Sequence, residues 1–169
     1  MNILFICTGN IFRSMSAEYC AKHYCTAHHL NEFSISSAGT IATPEPIDPT
    51  TLATLHTFDI DPTDHIQRQI TAEIVHAADI VVAMASYHQE LLKEEFGIHA
   101  PLFNKICYNT ETSVLDLGDV MDDPNTNIPK RQAHLQKTVT YINDAMPAFF
   151  AHIGAYQENN NTANNEEKR

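Results

Sequence analysis

The sequence predicts an α/β fold: a single three-layer domain in which a parallel sheet carries helices on both faces. Short apolar runs of strand length, such as 2–7 and 79–84, alternate with longer helix-like segments. Strands that alternate with helices form parallel sheets, because each crossover helix packs back onto the sheet. The chain has 169 residues, 43% of them hydrophobic, which is sufficient for one core.

The strands and helices follow from composition and from start and stop signals. Four segments are predicted as strands of a parallel sheet: 2–7, 33–37, 79–84 and 102–107. Helices are predicted at 14–29, from Pro49 onward, within 71–77, at 87–96 and at 128–152. Ser14 and Asp48 are candidate N-caps, Gly97 is a C-cap, and Pro147 is expected to kink the last helix.

Composition bounds the domain organisation and the partners. Residues 1–155 are predicted to form the single folded domain, and the polar stretch 156–169 a disordered tail. A net charge of -11 argues against a nucleic acid or an anionic membrane as partner. No apolar stretch is long enough to span a bilayer, and the start lacks a signal-peptide pattern, so a cytoplasmic protein is expected.

The cysteines predict neither a metal site nor a disulfide framework. No CxxC spacing occurs, and reduced thiols are the simpler expectation. The four cysteines are Cys7, Cys20, Cys25 and Cys107. A zinc site is therefore not expected.

The motif that indicates function is a cysteine and an arginine, Cys7 and Arg13, separated by five residues at a strand-to-helix junction. Such a junction directs backbone N–H groups at one spot beside the positive end of the helix dipole. That spot binds a tetrahedral oxyanion, and a thiol placed there is biased toward the thiolate. The motif thus predicts a phosphate-monoester hydrolase. The alternative is that Cys7 is an inert core thiol at the end of a strand.

The residues around the motif suit an anion-binding loop. Gly9 permits close backbone approach, and Asn10 tolerates left-handed geometry. Arg13 offers a planar fork to two phosphate oxygens, and Ser14 can donate a hydrogen bond to the thiolate. The residues predicted to bind substrate are Thr8, Gly9, Asn10, Ile11, Phe12 and Ser14.

With these residues the chain resembles the low-molecular-weight protein tyrosine phosphatase family. The resemblance rests on five blocks in order: 7–14 with Ala17-Glu18, Ser37-Ala38-Gly39-Thr40, Asp48-Pro49, 65–71, and Asp122-Asp123-Pro124. It implies a four-stranded parallel sheet and a two-step hydrolysis without metal or cofactor. Cys7 would attack phosphorus to form a phosphocysteine, while Arg13 and the loop amides would hold the equatorial oxygens.

The resemblance also implies roles for three further residues. Asp123 is similar to the family's general acid, although Asp-Pro is also common in ordinary turns. The runner-up acid is Asp122, with Asp119 and Asp116 as more remote candidates. His65 and Ser37 resemble residues that support the phosphate loop.

Departures from the family pattern leave the substrate open. Phe12 stands where a second cysteine is usual, Ala85 replaces an aspartate, and 41–47 carries no aromatic residue. Ile11 still resembles the tyrosine-specific branch, so phosphotyrosine in a protein or a small phosphate monoester is the predicted substrate and inorganic phosphate the product. The alternatives are a protein-arginine phosphatase and a catalytically weak phosphate-binding adaptor. An arsenate reductase is disfavoured because residues 26–106 contain no cysteine. The oligomeric state stays open.

Overall fold

A parallel sheet forms the centre of the molecule. The structure, a computed structural model, describes residues 1–166. The central strand β1 (Asn2–Cys7) lies between β2 (Ser34–Gly39) and β3 (Ile80–Ala83), in the order β2-β1-β3. Cys7 is in register with Gly39, and Ile6 with Ala83, so the carboxyl ends of all three strands meet at one edge.

Helices connect and cover the strands. Those in the described residues are α1 (Arg13–Ala27), α2 (Pro49–His56), α3 (Ala72–His76), α4 (Ser86–Phe96), α5 (Phe103–Tyr108), α6 (Leu117–Val120), α7 (Ile128–Asp144) and α8 (Met146–Glu166). Two predicted caps are confirmed: Asp48 accepts a 2.7 Å hydrogen bond from the Thr50 amide, and Gly97 ends α4 with φ +69°. The predicted last helix is divided at Ala145, next to Pro147.

The alternating side chains of β1 divide the core into two layers. Ile3 and Phe5 pack on one face of the sheet with apolar residues of α1, α5, α7 and α8. Leu4 and Ile6 pack on the other face with Val75 of α3 and Leu92 of α4. The three-layer α/β prediction is confirmed, and both core layers pack against β1, which ends at Cys7.

The predicted fourth strand at 102–107 is wrong. In the structure only Leu102 pairs with the sheet, through a single parallel bridge to Ala83, and α5 begins at the next residue. Phe103, Ile106 and Cys107 recur at helical spacing and are all buried. Pro101 precedes them and has no N–H to extend a ladder. An apolar run this short satisfies either period, and here it is buried as a helix.

At the C-terminus, α8 continues through Glu166, across much of the segment predicted as a tail from residue 156. Residues 167–169 of that segment lie outside the described residues, and the domain boundary at 155 stays a prediction. None of the helices within 1–166 is both long and apolar enough to cross a membrane.

Candidate active site

A cavity opens at the carboxyl end of β1, over the loop between Cys7 and Arg13. Its volume is about 850 Å³. Cys7 and Arg13 lie on its floor, with Thr8, Gly9, Ile11 and Phe12 of the connecting loop. The segment 41–51 forms one wall, and residues of α6 and α7 with the α6 N-cap Asp116 form the other.

The Cys7 sulfur receives hydrogen bonds from its own loop. The Asn10 amide donates to Sγ at 3.3 Å, and Ser14 Oγ lies 2.9 Å from Sγ. Asn10 Nδ2 donates to Ser14 Oγ at 3.1 Å, so the Ser14 hydroxyl hydrogen is left for Cys7 Sγ or for the more distant Ala38 carbonyl oxygen at 3.5 Å. These two contacts hold the sulfur against polar groups of its own loop.

The other cysteines have a different environment. Burial raises the pKa of the Cys20 and Cys107 thiols to about 12, and that of Cys25 to about 11. All three belong to the core, so they are packing residues.

Two local expectations for the loop need correction. Asn10 adopts the left-handed geometry expected of it, with φ 54°, whereas Gly9, which was expected to allow close backbone approach, does not have a positive φ. A Cβ on Gly9 would meet Ile11 at 3.5 Å, which is an ordinary contact. Ser14 is not the N-cap, because α1 begins at Arg13 and its cap Phe12 makes no side-chain bond. The Ser14 hydroxyl is used by Cys7 instead.

A buried relay of polar groups fixes the Asn10 side chain. Asn10 Nδ2 donates to Ser37 Oγ at 2.7 Å, and Ser37 in turn donates to the Glu18 carboxylate. The Asn10 Oδ1 accepts from the Arg68 amide at 3.0 Å. His65 Nε2 lies 2.7 Å from the Asn10 carbonyl oxygen, so it donates there. The structure therefore brings both predicted supporting residues, Ser37 and His65, to the loop.

Gly39 lets β2 approach the loop closely. A Cβ at this position would lie 2.5 Å from the Thr8 carbonyl oxygen and 3.0 Å from the Asn10 nitrogen. Both atoms are backbone and cannot move aside independently. The glycine of the Ser37-Ala38-Gly39-Thr40 block is thus required by the position of the loop.

Arg13 is buried beneath the cavity and held from several sides. Its Nη1 donates to Tyr87 Oη at 2.8 Å and to the Val114 carbonyl at 3.2 Å. Its Nη2 donates to Thr8 Oγ1 at 3.3 Å and pairs with Asp116. Burial acts to lower the pKa of the guanidinium, but Asp116, Cys7 and Tyr87 outweigh it and raise the pKa above its usual value. The positive charge is therefore fixed beside the sulfur.

A buried histidine contacts the loop from α4. His88 Nε2 lies 3.1 Å from Thr8 Oγ1, and the Ala85 amide donates to His88 Nδ1 at 3.1 Å. Since Nδ1 accepts, the ring hydrogen is on Nε2. Burial, and secondarily the charge of Arg13, lowers the pKa of His88 to about 3. The imidazole is neutral at ordinary pH.

The outer wall is polar and carries carboxylates. Gln67 ties it to the loop, because its Nε2 donates to the Gly9 carbonyl at 2.8 Å and its Oε1 accepts from the Glu45 amide at 2.7 Å. Glu45 and Asp116 line the cavity, as does Asp48, which is paired with Arg131. Aromatic contact comes from Phe12 alone among the described lining residues.

Asp123 is placed apart from this cluster. It is exposed, its Oδ1 accepts from the Asn125 amide at 2.8 Å, and it is not among the residues that line the cavity. Asp122 is exposed as well. The carboxylate that the structure brings to Arg13 is Asp116, which the sequence analysis ranked as a remote candidate.

Sequence reasoning also missed Tyr87, His88 and Gln67. Gln67 lies inside a block that carried the family resemblance, so that block contained its signal. Tyr87 and Arg13 are 74 positions apart, and His88 and Thr8 are 80 apart. Nothing in a single sequence pairs residues at such separations.

Comparison with known proteins agrees with this geometry. The family model for low molecular weight phosphotyrosine protein phosphatase matches residues 2–159. A protein-arginine-phosphatase of Bacillus subtilis is 32% identical over 123 residues, covering 72% of this chain and 79% of that protein. The low molecular weight protein-tyrosine-phosphatase PtpB of Staphylococcus aureus is 29% identical over 125 residues, covering 72% and 80%.

Solved structures show the same fold. The low molecular weight protein tyrosine phosphatase of T. tengcongensis superposes with a TM-score of 0.74 at 23% identity, covering 89% of this chain and 98% of that one. The chain belongs to the low molecular weight phosphotyrosine protein phosphatase family. The resemblance identified from the sequence, and with it the prediction of a phosphatase, is confirmed at the level of the family.

Proposed function

We propose that this protein hydrolyses phosphotyrosine in proteins, and small aryl phosphate monoesters, through a phosphocysteine intermediate. The observation that carries the proposal is the Cys7 sulfur, which accepts from the Asn10 amide and faces the Ser14 hydroxyl while Arg13 lies buried beside it. A thiolate nucleophile and a fixed cation at one anion-binding loop are what phosphoryl transfer requires.

The proposed reaction has two steps. Cys7 Sγ attacks phosphorus in line, the S–P bond forms and the P–O ester bond breaks, and Asp123 gives its proton to the departing phenolic oxygen. A water then attacks phosphorus, Asp123 takes the water's proton, and the S–P bond breaks to release inorganic phosphate and the thiolate. Arg13 and the loop amides stabilise the equatorial oxygens in both transition states. No metal or cofactor is needed.

Asp123 is proposed as the acid because of how its loop is attached. The loop 121–127 joins α6, whose N-cap Asp116 lines the cavity, to α7, whose Arg131 also lines it. Lys130 Nζ donates to the Val120 carbonyl at 2.8 Å and ties the two ends together. A short loop anchored at the cavity on both sides can bring Asp123 over the leaving group. Asp116 is occupied, since Oδ2 pairs with Arg13 and Oδ1 accepts from the Leu117 amide.

Asp123→Asn is expected to slow hydrolysis according to the leaving group. Phenyl phosphate, whose leaving group needs a proton, should lose about 100-fold in kcat/KM, which reports the first step alone, and p-nitrophenyl phosphate less than about tenfold. Asp122→Asn is the matched control, because the neighbouring carboxylate is also exposed. Equal losses on both substrates would reject Asp123 as the acid. The same leaving-group pattern in Asp122→Asn or Asp116→Asn would transfer the role to that residue.

A second candidate function is phosphoarginine hydrolysis. The cavity wall carries the carboxylates of Glu45 and Asp116 but few aromatic groups, which would favour a cationic guanidinium over a phenyl ring. The Bacillus subtilis relative is itself named a protein-arginine-phosphatase. Ile11 remains the residue that favours the tyrosine branch, and its apolar side chain lines the same cavity.

A substrate panel decides between the candidates. With p-nitrophenyl phosphate, a phosphotyrosine peptide, a phosphoarginine peptide and arsenate assayed in parallel, kcat/KM for phosphotyrosine should exceed that for phosphoarginine by at least about tenfold. Glu45→Gln should leave the phosphotyrosine rate nearly constant. A higher kcat/KM for the phosphoarginine peptide, together with loss of that preference in Glu45→Gln, would establish an arginine phosphatase. Phosphopeptide binding without phosphate release would indicate an adaptor, and arsenate turnover a reductase.

We also propose phosphorylated proteins or small phosphate monoesters as substrates and the cytoplasm as the site of action. Three of the cysteines are buried packing residues without a disulfide, which suits a reducing compartment.

A further inference from the structure

The Thr8 hydroxyl has an unusual set of partners. A hydroxyl has one hydrogen to donate and two lone pairs that accept. Thr8 Oγ1 lies 3.1 Å from His88 Nε2 and 3.3 Å from Arg13 Nη2. Both partners are donors, since the guanidinium has no acceptor and His88 Nδ1 already accepts from Ala85. Both lone pairs of the hydroxyl are thereby used, and its hydrogen must point elsewhere.

The direction left for that hydrogen is the cavity. Thr8 is half-buried and lines the cavity beside Cys7. Among residues 1–156, whose side chains the structure describes, no acceptor takes a hydrogen bond from its hydroxyl. The nearest part of Arg13 is Nη2, one arm of the fork that would receive a phosphate oxygen. An oxygen bound by that arm also comes within reach of the Thr8 hydroxyl.

We propose that Thr8 donates a hydrogen bond to a non-bridging oxygen of the bound phosphoryl group, and that His88 is the positioning residue that fixes the Thr8 hydroxyl in this orientation. The proposal rests on the proposed phosphatase function and names a further contact of the same site. His88 suits the role because it is 1% exposed, neutral, and held at Nδ1 by Ala85. Because Nδ1 accepts from the Ala85 amide, Nε2 is the ring atom that donates to Thr8.

A simpler role for His88 is structural. Ala85 is the N-cap of α4, and the bond from its amide to His88 Nδ1 closes the first turn of that helix. The two roles use different ring atoms, Nδ1 for the cap and Nε2 for Thr8. His88→Asn places an oxygen near the Nδ1 position and keeps the cap, but has no group that reaches Thr8. His88→Gln extends far enough to supply the donor.

The test measures binding of inorganic phosphate by calorimetry in the Cys7→Ser background, where turnover is absent. Thr8→Val, which keeps the shape but removes the hydroxyl, should weaken phosphate binding about tenfold, and Thr8→Ser should retain it. Thr54→Val is the control, because it removes a hydroxyl that bonds to the Thr50 carbonyl outside the cavity. Equal binding by Thr8→Val and Thr8→Ser would overturn the role of Thr8.

His88 is tested by coupling. His88→Asn should weaken phosphate binding about as much as Thr8→Val, His88→Gln should restore it, and His88→Asn should add nothing in the Thr8→Val background. If His88→Asn left phosphate binding unchanged, or if the losses of the two single variants simply added in the double variant, His88 would not position Thr8. Its role would then be limited to capping α4. The measured quantity is phosphate binding, so this pattern can hold even if the protein hydrolyses no ester. A failure of the Thr8–His88 proposal is therefore distinguishable from a failure of the proposed function.

Discussion

Replacing Cys7 with serine is expected to abolish turnover of p-nitrophenyl phosphate, with a loss on the order of 10⁴ or more in kcat. A serine hydroxyl at this position keeps its proton, since no adjacent base is available among its partners. Those partners are the Asn10 amide and the Ser14 hydroxyl, and neither of these groups is a base at neutral pH. Inorganic phosphate should still bind, because the loop amides and Arg13 are unchanged.

The matched control for Cys7→Ser is Cys25→Ser. Cys25 is a thiol of the core, 8% exposed, on the far part of α1, and its replacement should leave kcat within about threefold. Phosphate release over time and phosphate binding by calorimetry measure the two properties separately. Residual turnover in Cys7→Ser comparable to that of the parent would show that phosphorus is attacked by another group.

Arg13→Lys is expected to lower kcat by about 10³, although the charge is conserved. Arg13 bonds at once to Tyr87, to the Val114 carbonyl, to Thr8 and to Asp116 through two separate nitrogens. A lysine ammonium is a single point and cannot both hold the wall and offer a planar fork to two phosphate oxygens. The loss should fall mainly on kcat, since the charge that attracts the substrate remains.

Arg131→Lys provides the comparison. Arg131 also lines the cavity, but its partner is Asp48 on the outer wall. The decrease in kcat caused by Arg131→Lys should therefore be far smaller than that caused by Arg13→Lys. Steady-state kinetics on p-nitrophenyl phosphate, with thermal unfolding to verify the fold, measures both variants. If Arg13→Lys retained kcat within tenfold, the fork geometry would not be part of the transition state.

The sequence predicted the features that depend on neighbouring residues. The β1 strand, the α1 helix and the Asp48 cap each depend on a short run of neighbouring residues. Their observed bounds differ from the predicted ones by at most two residues. Asn10 adopts the left-handed conformation expected of it. The motif predicted that Cys7, Arg13 and Ser14 lie close together, because one short loop joins the end of β1 to the first turn of α1.

The sequence did not predict features that depend on distant partners. Strand pairing stops at Leu102 and α5 begins at Phe103, because Pro101 has no N–H for the ladder, and the apolar run alone does not reveal this. Asp116 was ranked below Asp123 because Asp123 precedes a proline, yet Asp116 is the carboxylate that reaches Arg13. His88 was one of 10 histidines, and its role depends on a contact with Thr8.

The pairing of Arg13 with Asp116 makes that carboxylate an internal competitor for every anion. A phosphoryl group that takes the guanidinium must first displace Asp116, so substrate and product are weakened by the same factor. Uniform weakening leaves the chemical step untouched but shortens the residence of inorganic phosphate. The consequence is a higher KM together with faster release of phosphate, while the ratio of product affinity to substrate affinity stays the same.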